Sequence, residues 1–281
     1  MSPAYEVFAI RYATSGPGRV RRQNFIEASD PHDSPMPLDY YVWAIIGAGR
    51  VIVVDTGFGP EAAEKRGRAL LRRPVEALKA AGIDPDAVED VIITHLHYDH
   101  AGCLESFPRA RFHLQDAEMR YATGRYMCHA CLRQPFEAED VVSVVRLLYR
   151  ERVQFHDGDS EIAPGVSVHR VGGHTGGLQV VRVQTQRGPL VLASDAFHFS
   201  ENRMRRNPFP LVFHVGEMLE GYRRCEELAN GDCDKLIPGH DPEVRRRWPR
   251  LRQEDSDIVC LHEAPSGQWG QPADTEIPPS T

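Results

Sequence analysis

The stretch Thr94-His95-Leu96-His97-Tyr98-Asp99-His100-Ala101-Gly102 sets four potential metal ligands into six positions, directly after an apolar run at residues 88–94. A short apolar run bounded by a polar turn reads as a buried strand, which puts the four side chains at its carboxyl end. Extended backbone alternates sides, so His95, His97 and Asp99 point the same way, while His100 follows at the start of the next turn and reaches round from the other side. Such a cluster is a cage for a cation. Neutral imidazole nitrogens and a hard oxygen are usual ligands of zinc and similar divalent ions, and no thiolate is required.

Three later turns add ligands: Gly172-Gly173-His174-Thr175-Gly176-Gly177, Ala193-Ser194-Asp195-Ala196 and Ile237-Pro238-Gly239-His240-Asp241. Each follows a short apolar run, at residues 166–171, 190–193 and 235–237. The same local geometry is therefore expected four times: a strand ends, a small residue allows a tight bend, and a His or Asp is left pointing off the sheet edge. Seven ligands exceed the three or four that one zinc takes, so two divalent ions sharing a carboxylate is the natural arrangement. Because the ligands run from His95 to His240, one site must be assembled from both halves of the chain. That favours a single domain over residues 1–263, with the Pro, Gly, Ser and Thr-rich residues 264–281 expected to be a disordered tail.

Around these turns the pattern alternates between strands and helices. Residues 4–12 read as an edge strand, and residues 39–54 as strand, tight turn, strand, ending in Asp55-Thr56-Gly57. Asp55 is placed to hydrogen-bond the far nitrogen of a ligand imidazole, fixing its tautomer. Helices are expected over residues 60–73, 74–81, 136–150 and 213–228. The third should bury Val141, Val144, Val145 and Leu148, and the fourth Val215, Met218, Leu219, Tyr222 and Cys225. Two longer segments have two readings each. The polar loop at residues 14–39, with Phe25, Met36 and Pro37, either lines the mouth of a pocket or is plain surface. Residues 124–136, with Tyr126, Met127, Leu132 and Phe136, either roof the pocket or pack under a loop or at a dimer contact.

The chain of 281 residues has 41% hydrophobic and 26% charged residues and a net charge of -7, which gives no general attraction to nucleic acid or anionic membrane. No apolar run is long enough to span a bilayer, and no targeting pattern opens the chain, so a cytoplasmic location is expected. The six cysteines are too sparse for a disulfide scaffold and are expected as free thiols. Cys128-His129-Ala130-Cys131 offers three donors to a further metal but has no partner CxxC, which weakens that reading.

The motifs as a set resemble the metallo-β-lactamase superfamily. Its His-x-His-x-Asp-His is met by His95, His97, Asp99 and His100, and its later His, Asp and His fall on His174, Asp195 and His240. The resemblance covers roughly residues 39–243 and implies an α/β fold, a four-layer αββα sandwich with metals at the sheet edge. It further implies that His95, His97 and His174 hold one ion, that Asp99, His100 and His240 hold the other, that Asp195 bridges, and that both ions are Zn2+. A hydroxide bridging the ions would then be the nucleophile and Asp99 the acid for the leaving group. Antibiotic-cleaving relatives usually have a cysteine where this chain has Asp195.

Within the superfamily, the His-Leu-His-Tyr-Asp-His-Ala-Gly wording and the Ser-Asp-Ala turn look like the N-acyl homoserine lactonases. That likeness implies the opening of a small lactone, quorum quenching and a homodimer. One position departs. Where those enzymes place a tyrosine three residues after the bridging aspartate, this chain has His198, either a substrate-contacting residue or a histidine buried behind the ligands. Imidazole also donates a hydrogen bond, but with different reach and pKa. The alternative is hydrolysis of another ester, an amide, a phosphodiester or a thioester. For a thioester hydrolase of glyoxalase II type, Arg245 to Arg247 would grip the substrate. A non-catalytic binding protein would require a damaged ligand set, and all seven positions are intact.

Overall fold

The structure is a computed structural model and describes residues 3–27 and 33–269. Among these residues fourteen strands form two sheets. The first holds β1 (Glu6–Thr14), β2 (Asp39–Gly47), β3 (Arg50–Val54), β4 (Ala69–Leu70), β5 (Asp90–Ile92), β6 (Arg111–Gln115) and β7 (Val153–His156). The second holds β8 (Ser160–Ala163), β9 (Val166–Arg170), β10 (Gln179–Thr185), β11 (Gly188–Ser194) and β12 (Leu236–Pro238), and the chain then returns to the first with β13 (Arg250–Arg252) and β14 (Asp255–Cys260). The first sheet runs in the order β13-β14-β1-β2-β3-β5-β6-β7, with β4 paired to β1, and the second in the order β12-β11-β10-β9-β8.

Period-two patterning explains why two sheets form and why both are covered on both faces. In β1 and β2, Val7, Ala9, Tyr41, Trp43 and Ile45 face one way and join Val166, Val168, Val181, Val183, Leu190 and Leu192 of the second sheet in a core between the sheets. The alternate residues Phe8, Ile10, Val42 and Ala44 face the other way. They are covered by helices α1 (Pro60–Arg66) and α2 (Pro74–Ala80), then, after α3 (Tyr98–Ala101), α4 (Asp116–Ala122) and α5 (Ala130–Arg133), by α6 (Ala138–Leu148). On the second sheet Val180, Val191 and Ala193 pack outward against Met218, Tyr222 and Cys225, which belong to α8 (Val215–Leu228), the helix after α7 (Ser200–Met204). A last short helix, α9 (Glu243–Arg247), precedes β13. The layers are helix, sheet, sheet, helix: the αββα sandwich.

Several local expectations change. β1 is not an edge strand but lies between β2 and β14, with Phe8 opposite both Ala44 and Cys260. The first helix stops at Arg66 because Gly67 takes the left-handed conformation at φ 60 and closes it, leaving Leu70 to pair with Ala13. The apolar run at 88–94 is a strand only over Asp90–Ile92, since Ile93 and Thr94 already lead into the ligand turn. In α6, Val144 and Leu147 are the buried pair while Leu148 is exposed, and in α8 Val215 is exposed. Of the expected tail, residues 264–269 are in place, with Ser266 N–H donating to Arg247 O and Trp269 packed on Trp248. Residues 270–281 lie outside the described residues.

Candidate metal centre

All seven predicted ligands converge at one edge of the sandwich. His95 and His97 lie in the turn after β5, and Asp99 and His100 on α3, whose N-cap is His97. His174 follows β9, Asp195 follows β11 and His240 follows β12. Each is buried, with Asp99 the most accessible at 9%. Their donor atoms fall into two groups, one of His95, His97, His174 and Asp195, the other of Asp99, His100 and His240, each within 4.8 Å.

Asp195 joins the groups. Its Oδ2 faces His174 Nε2 at 3.1 Å and His95 Nε2 at 3.8 Å, while its Oδ1 faces His240 Nε2 at 3.0 Å and His100 Nε2 at 3.3 Å. Asp99 Oδ2 lies 3.8 Å from both His100 Nε2 and His240 Nε2. His97 presents Nδ1, 2.9 Å from His174 Nε2.

The far nitrogens of His100, His174 and His240 are committed elsewhere, which leaves their inward ones bare. Nδ1 of His174 donates to Leu211 O at 2.7 Å, and Nδ1 of His240 to Asp39 O at 2.9 Å. His100 Nδ1 meets Asp55 Oδ2 at 2.7 Å, the contact expected of Asp55. Asp55 also accepts from Thr94 N–H at 2.8 Å and Thr94 Oγ1 at 2.9 Å, and its φ of 61° bends the chain to bring it there. Among the described residues the inward atoms His95 Nε2, His100 Nε2 and Asp195 Oδ1 have no hydrogen-bond partner. Orphaned buried polar atoms are costly, and lone pairs converging from imidazole and carboxylate are the donor set that a divalent cation satisfies. The residues fit two such ions.

The electrostatics agree. Burial, reinforced by the neighbouring imidazoles, holds His95 and His97 well below the usual histidine range, so both are neutral, as ligands must be. Burial also opposes charge on His100, but Asp195, Asp55 and Asp99 together lift it well above that range. These carboxylates demand positive charge at this point.

Two tight approaches hold the ligand turns. A Cβ on Gly239 would come within 2.8 Å of both Asp195 Oδ1 and the Ser194 backbone, and one on Gly173, at φ +84, within 2.4 Å of the Met218 backbone. Only glycine fits either place. Sequence reasoning missed Glu118, which is wholly buried on α4 and ties two ligand turns together. Its Oε1 accepts from Leu96 N–H at 2.9 Å, and its Oε2 from Thr175 Oγ1 at 2.6 Å and Gly177 N–H at 3.0 Å. The first-turn position gave no signal, because an acid there reads as a complement to the helix dipole.

His198 is buried beside Asp195 and His240. Its Nε2 is 3.1 Å from Asp195 Oδ2 and its ring lies flat on Phe209, with centroids 3.7 Å apart. Burial lowers its pKa to about 3. On the other side Phe136 meets His97 edge-on at 4.7 Å and continues outward through Tyr121, Phe213 and Tyr126, so part of the 124–136 segment walls the centre. Tyr40 packs edge-on against His240 at 5.0 Å. Cys128 and Cys131 are exposed free thiols, and among the described residues they are not part of any group of converging metal donors. His214 caps α8, its Nδ1 accepting from Glu217 N–H.

The curated relatives include an N-acyl homoserine lactonase of a Bacillus species, 29% identical across 62% of this chain and 64% of that enzyme. They also include the N-acyl homoserine lactonase AiiB of Agrobacterium fabrum, 27% identical across 65% of this chain and 72% of that one. The chain thus spans just under two thirds of the length of the Bacillus enzyme. A solved quorum-quenching N-acyl homoserine lactone lactonase superposes with a TM-score of 0.69 at 24% identity, covering 86% of this chain and 94% of that one. AidC, a dizinc quorum-quenching lactonase, superposes with a TM-score of 0.58 at 17% identity, covering 82% and 81%. At these identities the superpositions establish the fold. The sequence profile of the metallo-beta-lactamase superfamily matches residues 36–240, from just ahead of β2 to the last ligand, and the chain belongs to that superfamily.

Proposed function

We propose that this protein is a metal-dependent hydrolase that opens the ring of a small lactone, with N-acyl homoserine lactones as the leading substrate class. The observation that carries the reading is Asp195, whose two oxygens each face a separate group of buried donors. Two Zn2+ ions held there would supply an activated water and polarise the lactone carbonyl. The chain's own residues do the rest. Asp195 and the five inward imidazoles fix both groups, and Asp55, Leu211 O and Asp39 O fix the tautomers. Asp99, the most accessible of the seven, is placed to pass a proton to the departing ring oxygen. His198, held flat by Phe209, takes the place of the tyrosine of the relatives and donates to the substrate carbonyl. The aromatic file from Phe136 to Tyr126 gives an acyl chain an apolar wall. Residues 1–263 act as one catalytic domain. No helix among the described residues is long and apolar enough to cross a membrane, and we place the enzyme in the cytoplasm, acting in quorum quenching.

Proton release on adding short and long acyl homoserine lactones and γ-lactones to the zinc-loaded protein tests the reading. Turnover that a His97→Ala variant loses is the expected result. No turnover of any lactone by protein with two metals bound would overturn it.

A further inference from the structure

Two guanidinium groups stand beside the metal centre with no carboxylate at ion-pair distance among the described residues. Arg68 lies over the ring of Tyr40, whose ring packs on His240, and its Nε donates at 3.3 Å to the hydroxyl of Tyr98, the residue between His97 and Asp99. Arg19 lies 5.0 Å over Phe209, which stacks on His198. Each cation is thus one aromatic ring removed from the centre. Arg19 gives Nε to Asn24 Oδ1 at 2.5 Å and Nη2 to Gln23 O at 2.8 Å. Its Nη1 and both terminal nitrogens of Arg68 have no partner among the described residues.

Neighbouring cations are balanced differently. Lys65 and Arg66 both close on Glu137, and Arg11 and Arg245 both close on Asp39. Arg19 and Arg68 are each partly buried; burial and the nearby Arg68 oppose the charge on Arg19, while Tyr40, Tyr98 and, from beyond ion-pair distance, Asp99 favour the charge on Arg68. Partly buried cations set close together with no carboxylate at ion-pair distance are less favourable than paired ones. Such an arrangement is what a site for an incoming anion looks like before it is filled, because a guanidinium fork matches carboxylate and phosphate oxygens. Arg68 also lines a cleft of about 730 Å³ with Lys65, Arg66, Arg133, Phe136 and Glu137, and Phe136 is the ring that ends on His97. The whole chain carries -7, so this local positive charge is not a general property of its surface.

We infer that Arg19 and Arg68 form an oxyanion subsite next to the metal centre, and that the preferred substrate bears a carboxylate or phosphate group away from the bond that is cleaved. The inference rests on the hydrolase reading above and narrows it, since a simple acyl homoserine lactone is neutral and leaves both arginines unmatched.

Two measurements separate the inference from that reading. The first is calorimetric binding to the zinc-loaded protein of dicarboxylates from succinate to suberate, each compared with its mono-amide. Both members of a pair offer one carboxylate to the ions, so the difference reads the far end. At the matching length the dicarboxylate should bind at least tenfold more tightly. Arg68→Gln and Arg19→Gln should each shrink the ratio, while Arg68→Lys, which keeps the charge, retains most of it and shows that the loss is not misfolding. Phosphono-carboxylates of the same lengths show which oxyanion is preferred. Equal affinity within every pair would overturn the inference. The second is turnover of N-succinyl homoserine lactone against its terminal amide, with kcat/KM expected at least tenfold higher for the acid and levelled by Arg68→Gln. Equal turnover of both also overturns the inference. Turnover of neither, with the binding preference intact, upholds the subsite and removes the lactone reading instead.

Discussion

Asp55→Asn exchanges one carboxylate oxygen for an amide nitrogen in a wholly buried side chain, and should disable a metal ligand without any steric clash. The left-handed backbone at φ 61° suits asparagine nearly as well as aspartate, so the fold at this turn is kept. The introduced amide can still accept from Thr94 N–H through its oxygen, but its N–H then faces His100 Nδ1. That nitrogen must accept, and the imidazole proton moves to Nε2, the atom that faces Asp195 Oδ1 at 3.3 Å. A protonated Nε2 cannot bind a cation. Turning the amide the other way sets N–H against N–H at Thr94. Loss of such an orienting partner costs about 10–100-fold in metal affinity, about 1.4–2.8 kcal/mol. Asp55→Gly is the informative contrast, because it also tolerates the backbone but leaves His100 free to choose its tautomer. It abandons Thr94 N–H as well, which costs about 1–3 kcal/mol of stability. The two variants should therefore rank in opposite orders: Asn worse in metal affinity, by competition with a chelating dye, and Gly worse in denaturant unfolding of the metal-free protein. The same order in both assays, or an Asn variant that holds metal like the parent, would refute the tautomer argument.

Two further changes probe the surroundings. Glu118→Gln sets an N–H against Leu96 N–H or Gly177 N–H in either orientation, and should cost about 2–3 kcal/mol of stability and speed metal loss to a chelator; an unchanged melting temperature would count against Glu118 as the tie between the ligand turns. Asp140, in the first turn of α6, is raised to about 7 by burial and then by Glu137. Folding favours its neutral acid, so the associated stability is present below the unfolded pKa of about 4 and is lost as pH rises through the folded value. A shift of about three units would correspond to about 4 kcal/mol, which partial exposure reduces to about 1–2. Asp140→Asn should raise the melting temperature at pH 8 and leave it nearly unchanged at pH 4, and an equal gain at both would exclude this titration as the cause.

The convergence of the seven candidate ligands was legible in the sequence because metal binding restricts residue type and the strand ends restrict spacing. His95, His97, Asp99, His100, His174, Asp195 and His240 converge where the turns predicted. Contacts whose partners lie far apart in the chain were not legible. The pairing of β1 with β14 joins Ile10 to Ile258, and nothing local to either strand announces it. Arg19 read as an ordinary loop residue and Arg68 as part of the helix expected over residues 60–73, since only the folded chain shows which cations lack an acid beside them. In α6 the apolar positions are so closely spaced that the helix can be rotated by one residue without spoiling the pattern, which is why the periodicity points to Leu148 where the fold buries Leu147.

The two donor groups have a consequence beyond catalysis. His95, His97, Asp99 and His100 follow a strand of the first sheet, whereas His174, Asp195 and His240 follow strands of the second, and each group takes members from both. A cation held by either group is then a rivet between the sheets, set at the rim of an interface that is otherwise filled mainly by apolar side chains. Its binding energy adds to the work needed to part the two halves. Stripping the ions should loosen the sandwich from that rim, as removing a hasp lets a closed book fall open along the side away from its spine.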